Sequence, residues 1–337
     1  MFNMMGIRSG QVVAVATVLG LWTACGLAQN PPDVYSTYGV HNPPGDSPCA
    51  NANCIYVRQP GEPTDPHYPP FWSSNWNMYR VFQGYAENPP PYDGAPPPAL
   101  KPGVDYEISQ GATYYDSTWR GPTGEGAMME HYEKRCLPIF PISNHFTCSF
   151  ISLGDIAFFV TYDVDRPSGM PPVCLFSPMN HPPRRDFIRH LPYSAGDSAR
   201  LRDRVQGYSF WVDGTSGKPI QTGVSPDRTS DGAIMFGYAF EREPTRDPLD
   251  TSVAPYRHPQ SFYFSGYPLA PANAPIVSQN YTDFAMVRPD PKTTWDQVAH
   301  LDVKTLPQCQ LFNPPASLVG AAAAAKRAPT WGDLRRK

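Results

Sequence analysis

At 337 residues with 41% apolar content, the chain is long enough to bury a large hydrophobic core, as one large domain or two modest ones. Only 17% of residues are charged while 42 are proline and 19 tyrosine, a balance that favours short strands and ordered proline-rich loops over long helices. A net charge of -3 excludes general nucleic-acid binding, which needs a basic surface to displace counterions.

Residues 1–28 read as an export signal: Arg8 supplies the positive start, Val12 to Trp22 the apolar stretch, and Gly26 and Ala28 the small residues before cleavage at Gln29. The apolar stretch is roughly half the length a bilayer span requires, so the mature form has no transmembrane span. Leu21-Trp22-Thr23-Ala24-Cys25 offers the alternative of a lipid anchor at Cys25, with Trp22 where leucine is usual. Either route places the mature protein outside the cytoplasm, secreted or periplasmic.

Residues 29–103 carry proline clusters at Pro31-Pro32, Pro43-Pro44, Pro69-Pro70, Pro89-Pro90-Pro91 and Pro96-Pro97-Pro98. Cysteines and aromatics between them point to loops wrapped on a main domain at 104–315, not to a free linker. Within this region Phe71 to Tyr79 is dense in rings, and Met78 to Ala86 has strand character. Trp72, Trp76 and Tyr79, with Trp119 further on, are candidate ligand-contact residues, since Trp and Tyr offer flat amphipathic faces to sugar rings or a partner protein. Packing of the same rings against neighbouring prolines is the structural alternative.

Strands are expected at 104–108, 112–119, 126–134, 146–152, 155–163 and 171–177. Ile156 to Val160 is a continuous apolar run, the pattern of a strand buried on both faces near the middle of a sheet. Asp163 to Gly169 is turn-forming. Asp163 and Asp165 there are candidate carboxylates for hydrolytic chemistry, while Glu125, Glu130 and Glu133 form no motif.

The stretch Met179 to His190 gathers His181, Arg185, Asp186 and His190 on a loop with Arg184 and Arg189. Histidine can act as a general base or metal ligand, and arginine can clamp a carboxylate or phosphate. A solvated loop with local ion pairs is the plainer reading. Cys174, Met179 and His181 have Met ahead of His, which does not fit a type I copper site. The other histidines (His41, His67, His131, His145, His258 and His300) form no H-E-x-x-H or H-x-H element, so no metal set and no cofactor is identified.

Ser194 to Gln206 is expected as a helix capped by Ser194 or Asp197 and ended by Gly207. Strands follow at 208–212, 219–224, 232–240, 260–266 and 281–287, with a second short helix at 293–300 capped by Thr294. The tail 316–337, with Ala321 to Ala325 followed by Lys and Arg, has few apolar anchors. Outside the leader the cysteines are Cys49, Cys54, Cys136, Cys148, Cys174 and Cys309. Their spacing suggests Cys49 with Cys54, Cys136 with Cys148, and Cys174 with Cys309, the last closing a loop worth roughly 4 to 5 kcal/mol in chain entropy.

The expected fold is all-β, a sandwich or distorted barrel with long proline-rich loops and one or two short helices. With no G-x-S-x-G elbow and no cofactor motif, the leading expectation is an exported, disulfide-stabilised binding or surface-associated protein, its partner a glycan, an envelope component or a surface protein. The alternatives are an extracytoplasmic hydrolase or metal-assisted enzyme using the His181 to His190 loop with Asp163 or Asp165, and a structural assembly subunit.

Overall fold

The computed structural model describes residues 58–82, 88–136, 145–176, 182–202, 205–213, 233–245, 255–266 and 276–309. The export signal with Cys25, the Cys49 and Cys54 pair, the expected strand at 219–224 and the tail 316–337 lie outside these residues. The fold is all-β, and the described residues build one antiparallel sheet of 11 strands. In chain order the strands are β1 (Phe71–Val81), β2 (Tyr106–Gly121), β3 (Gly124–Glu133), β4 (Cys148–Leu153), β5 (Ile156–Thr161) and β6 (Val173–Leu175). They are followed by β7 (Tyr193–Ser194), β8 (Val205–Asp213), β9 (Ala233–Glu241), β10 (Pro259–Gly266) and β11 (Ile276–Ala285). The order across the sheet is β6-β5-β4-β3-β2-β1-β11-β10-β9-β8-β7: two meanders joined where β1 pairs with β11. β1, drawn from the proline-rich N-terminal region, is thus the central strand.

Alternation sorts the side chains into two faces. Trp76, Tyr132, Cys148, Phe150 and Phe159 from β1 and β3–β5 meet Phe264 and Val277 from β10 and β11 in one buried cluster, so the inner face of one meander packs against that of the other in the manner of a sandwich. Trp72, Tyr115, Met128, Tyr208, Tyr238 and Phe240 form a second inner cluster. The outer face of β3–β5 (Ala127, Met129, Ile151, Leu153, Phe158, Val160) is covered by Trp295 and Val298 of the C-terminal segment. β5 is therefore buried on both faces as expected, but it lies next to the edge strand β6 and not mid-sheet. Its outer burial comes from the C-terminal segment, which the run of apolar residues cannot distinguish from a central position.

Because every neighbouring pair is antiparallel, the first and last of 11 places run in the same direction. β6 and β7 are consecutive in the chain yet parallel, so the connection between them must travel back the length of a strand. Its described part, 182–192, crosses the inner side: Phe187, Ile188 and Leu191 pack with Trp72 and Tyr115, Tyr115 Oη donates to the Pro183 carbonyl (2.7 Å), and Tyr68 N donates to the Arg185 carbonyl (2.8 Å).

Both sheet edges are protected. Beside β6, Leu175 N donates to the Pro307 carbonyl (2.8 Å) and Cys309 N to the Leu175 carbonyl (2.7 Å), and Cys174 is disulfide-bonded to Cys309. β7 is only two residues long. The Cys136–Cys148 disulfide also forms as expected. Both helices are shorter than expected. Ser194 does cap the first, accepting from Asp197 N (3.2 Å), but it spans only Ala195–Arg200, and Gly207 lies inside β8. The second spans Asp296–Ala299 with Trp295 at its N-cap position, while Thr294 donates back to the Asp290 carbonyl (2.9 Å).

Candidate functional site

The register aligns the inner-face residues in rows across the strands. Ser74, Thr113, Glu130, Phe150 and Phe159 form one row, and Met78, Gln279, Phe262, Tyr238 and Tyr208 another. Between them Trp76 pairs with Gly111 on one side and Tyr281 on the other, and its indole lies where a Gly111 side chain would be: a Cβ there would stand 2.2 Å from the ring. Two aromatic-rich clusters thus enclose a polar group of Thr113, Glu130, Tyr132, Gln279 and Tyr281.

Glu130 is 2% exposed and accepts a hydrogen bond from Tyr132 Oη (2.8 Å). Burial first, and the Glu130 carboxylate second, push the Tyr132 and Tyr281 phenols well above the ordinary tyrosine range. These hydroxyls stay protonated, that of Tyr132 already given to Glu130. Thr113 and Gln279 lie beside the Tyr281 phenol and oppose that rise, though outside the geometry of a direct hydrogen bond. Gln279 is 0% exposed, and among the described residues neither its amide oxygen nor its amide nitrogen has a hydrogen-bond partner. Thr113 Oγ1 and the indole nitrogens of Trp72 and Trp76 are also unpartnered. Buried polar atoms in folded proteins are nearly always hydrogen-bonded, so a concentration of such atoms on one face is chemically conspicuous. Phe236, Phe262 and Tyr281, which touch both inner clusters, are only partly buried.

No known family model and no curated protein matches this chain.

The aromatic contact residues expected on the outside are mostly inside. Trp72 and Trp76 are 0% and 1% exposed on the inner face, where burying a large ring removes the most apolar surface from water. Tyr79 is buried on the outer face, edge-on to Tyr106 (6.0 Å), and Trp119 is half-buried there with its indole over Gly121.

The loop and turn candidates separate. Asp163 pairs with Arg166 (2.6 Å) and Asp165 accepts from Thr147 N (2.9 Å) and Oγ1 (2.7 Å), both just beyond the end of β5 at Thr161. Thr161 shares a row with Cys148, Tyr132, Gly111 and Trp76. Arg185 and Asp186 sit at the other end, near Tyr115, four residues and about 13 Å along β2 from Gly111. Arg185 Nε donates to the Tyr68 carbonyl (2.8 Å), and Asp186 pairs with Arg189 (2.8 Å). Burial opposes ionisation of Asp186, but the hydrogen bond and charge of Arg189 outweigh it and hold the carboxyl below its usual range. His181 and the side chain of His190 lie outside the described residues. A histidine from another segment, His67, enters this group instead: burial holds it below the usual imidazole range, opposed by Asp186.

Proposed function

We propose that the protein is an exported, disulfide-stabilised binding protein whose ligand is a glycan unit held at the inner face of the sheet. The observation that carries this reading is Gln279, a fully buried carboxamide with a donor and an acceptor both unpartnered. A sugar hydroxyl is both donor and acceptor and satisfies either atom, and Thr113, Glu130 and Tyr281 extend the same chemistry along adjoining rows. Phe262 and Tyr281 offer ring faces to the apolar side of a pyranose. The amide atoms are enclosed, so entry requires these two rings to turn aside, a rotamer change of the kind common on binding. The two disulfides fit an oxidising compartment, and no helix among the described residues is long and apolar enough to cross a membrane.

The test is thermal denaturation of the full chain with glucose, galactose or N-acetylglucosamine. At least one should raise the melting temperature, as any ligand of the native state does. Gln279→Leu removes a buried unsatisfied amide, so the unliganded variant should be more stable by about 1 kcal/mol and lose the ligand-induced shift. A shift that survives in this variant, or no shift with any sugar, sinks the reading.

A further inference from the structure

We infer that the glycan unit carries a carboxylate and that Arg185 reads it; this deepens the reading above and rests on it. Segments 58–68, 182–192 and 255–258 bring charged groups to one end of the inner face, where two of the arginines are neutralised in pairs. Arg58 Nε is bound to Asp65 (2.7 Å) and Arg189 to Asp186 (2.8 Å). Arg185 has no ion pair among the described residues. Its Nε is spent on the Tyr68 carbonyl, and its Nη2 is buried without a hydrogen-bond partner among the described residues. Burying that donor without an acceptor has a desolvation cost that an anion or another acceptor returns.

The location ties this charge to the hydroxyl-recognising group. Arg185 acts electrostatically on the buried Tyr115 phenol, and Tyr115 stands two residues from Thr113 on the same face of β2, about 7 Å along the strand. A sugar unit spans that interval, with a ring hydroxyl at Thr113 and an acidic substituent toward Arg185. Arg257, at the same end and also without an ion pair among the described residues, spends Nη1 on the Glu241 carbonyl and Nη2 on Thr64 Oγ1. Arg185 is thus the guanidinium there with a buried donor to spare, and that single cation favours the one charge of a uronic acid over a phosphate ester. The planar guanidinium fork suits a carboxylate.

Calorimetric titration of the full chain at neutral pH with glucose, glucuronate and inorganic phosphate decides the matter. Glucuronate should bind at least about tenfold more tightly than glucose, the scale of one charge-assisted hydrogen bond. Added sodium chloride should narrow that ratio by weakening glucuronate alone. Arg185→Met should abolish the ratio while leaving glucose affinity unchanged. Should that variant fail to fold, the ratio and its salt dependence in the unmodified chain carry the test. Equal affinities for the two sugars, a ratio insensitive to salt, or a preference that survives in Arg185→Met overturns the inference and leaves the glycan reading standing. Phosphate binding more tightly than glucuronate overturns the choice of carboxylate. If neither sugar binds, the glycan reading itself fails.

Discussion

His131 lies on the outer face of β3, its Nδ1 2.9 Å from Ser149 Oγ, which in turn lies 2.6 Å from Tyr162 Oη. Ser149 is fully buried, so this chain of hydrogen bonds fastens strands and offers no reachable nucleophile. Burial holds the imidazole below its ordinary value, with Glu133 opposing. The folded state then binds the proton less readily than the unfolded chain, so stability is full at neutral pH and declines as pH falls below about 6.5. His67 carries the same sign. Replacing His131 with Gln should flatten the fall in unfolding free energy across that acidic window in denaturant titrations; an unchanged slope would assign the effect to other groups. The inner-face polar residues were partly legible at this scale. Met128, Glu130 and Tyr132 alternate along an expected strand, but Glu130 forms no motif there and is not distinguished from Glu125 and Glu133. Gln279 was not legible, because the strand was expected only from residue 281, whereas it begins at Ile276 and continues the alternation Val277, Gln279, Tyr281.

Strands were readable as elements because their apolar runs and bounding turn residues reflect local sterics. The helices were readable in place but not in length. Leu201 and Val205 have helical spacing, but Leu201 packs with Met235 and Tyr263 on the outer face while Val205 already pairs with Glu241 in β8. Gly207 was expected to end the helix; its real role is to let Asp197 approach, since a Cβ there would stand 2.5 Å from that of Asp197. Gly111 makes the same kind of accommodation for the central strand. An added methyl would lie 2.0 Å from the His131 carbonyl oxygen and 2.2 Å from the Trp76 ring, and neither can withdraw without disturbing β3 or the inner core. Gly111→Ala should therefore cost roughly 1 to 3 kcal/mol in unfolding free energy, the usual penalty of overpacking. It should also alter the near-ultraviolet dichroism of the displaced indole. An unperturbed melting curve would mean that the strand pair has more slack than its register implies.

Across the whole molecule, the all-β class and two of the disulfides were legible, because composition limits helix and spacing limits cysteine pairing. The sheet order was not, since strand partners depend on contacts between segments remote in the chain. Removing the Cys174–Cys309 bridge as a double alanine variant should lower stability by roughly 2 to 5 kcal/mol. It should also loosen the segment that seats Trp295 on β3–β5, which its fluorescence would report; an unchanged emission and midpoint would show that the segment holds without the bond. The pairing of β1 with β11 has a consequence for how the molecule comes into being. Each meander forms from neighbouring hairpins, but the seam between them joins residues 71–81 to 276–285, a late and entropically costly contact. A chain that emerges N-terminus first carries β1 with one side unpaired until its last strand arrives. For that interval the strand at the centre of the finished sheet is an edge, and it is then most open to pairing with the wrong chain.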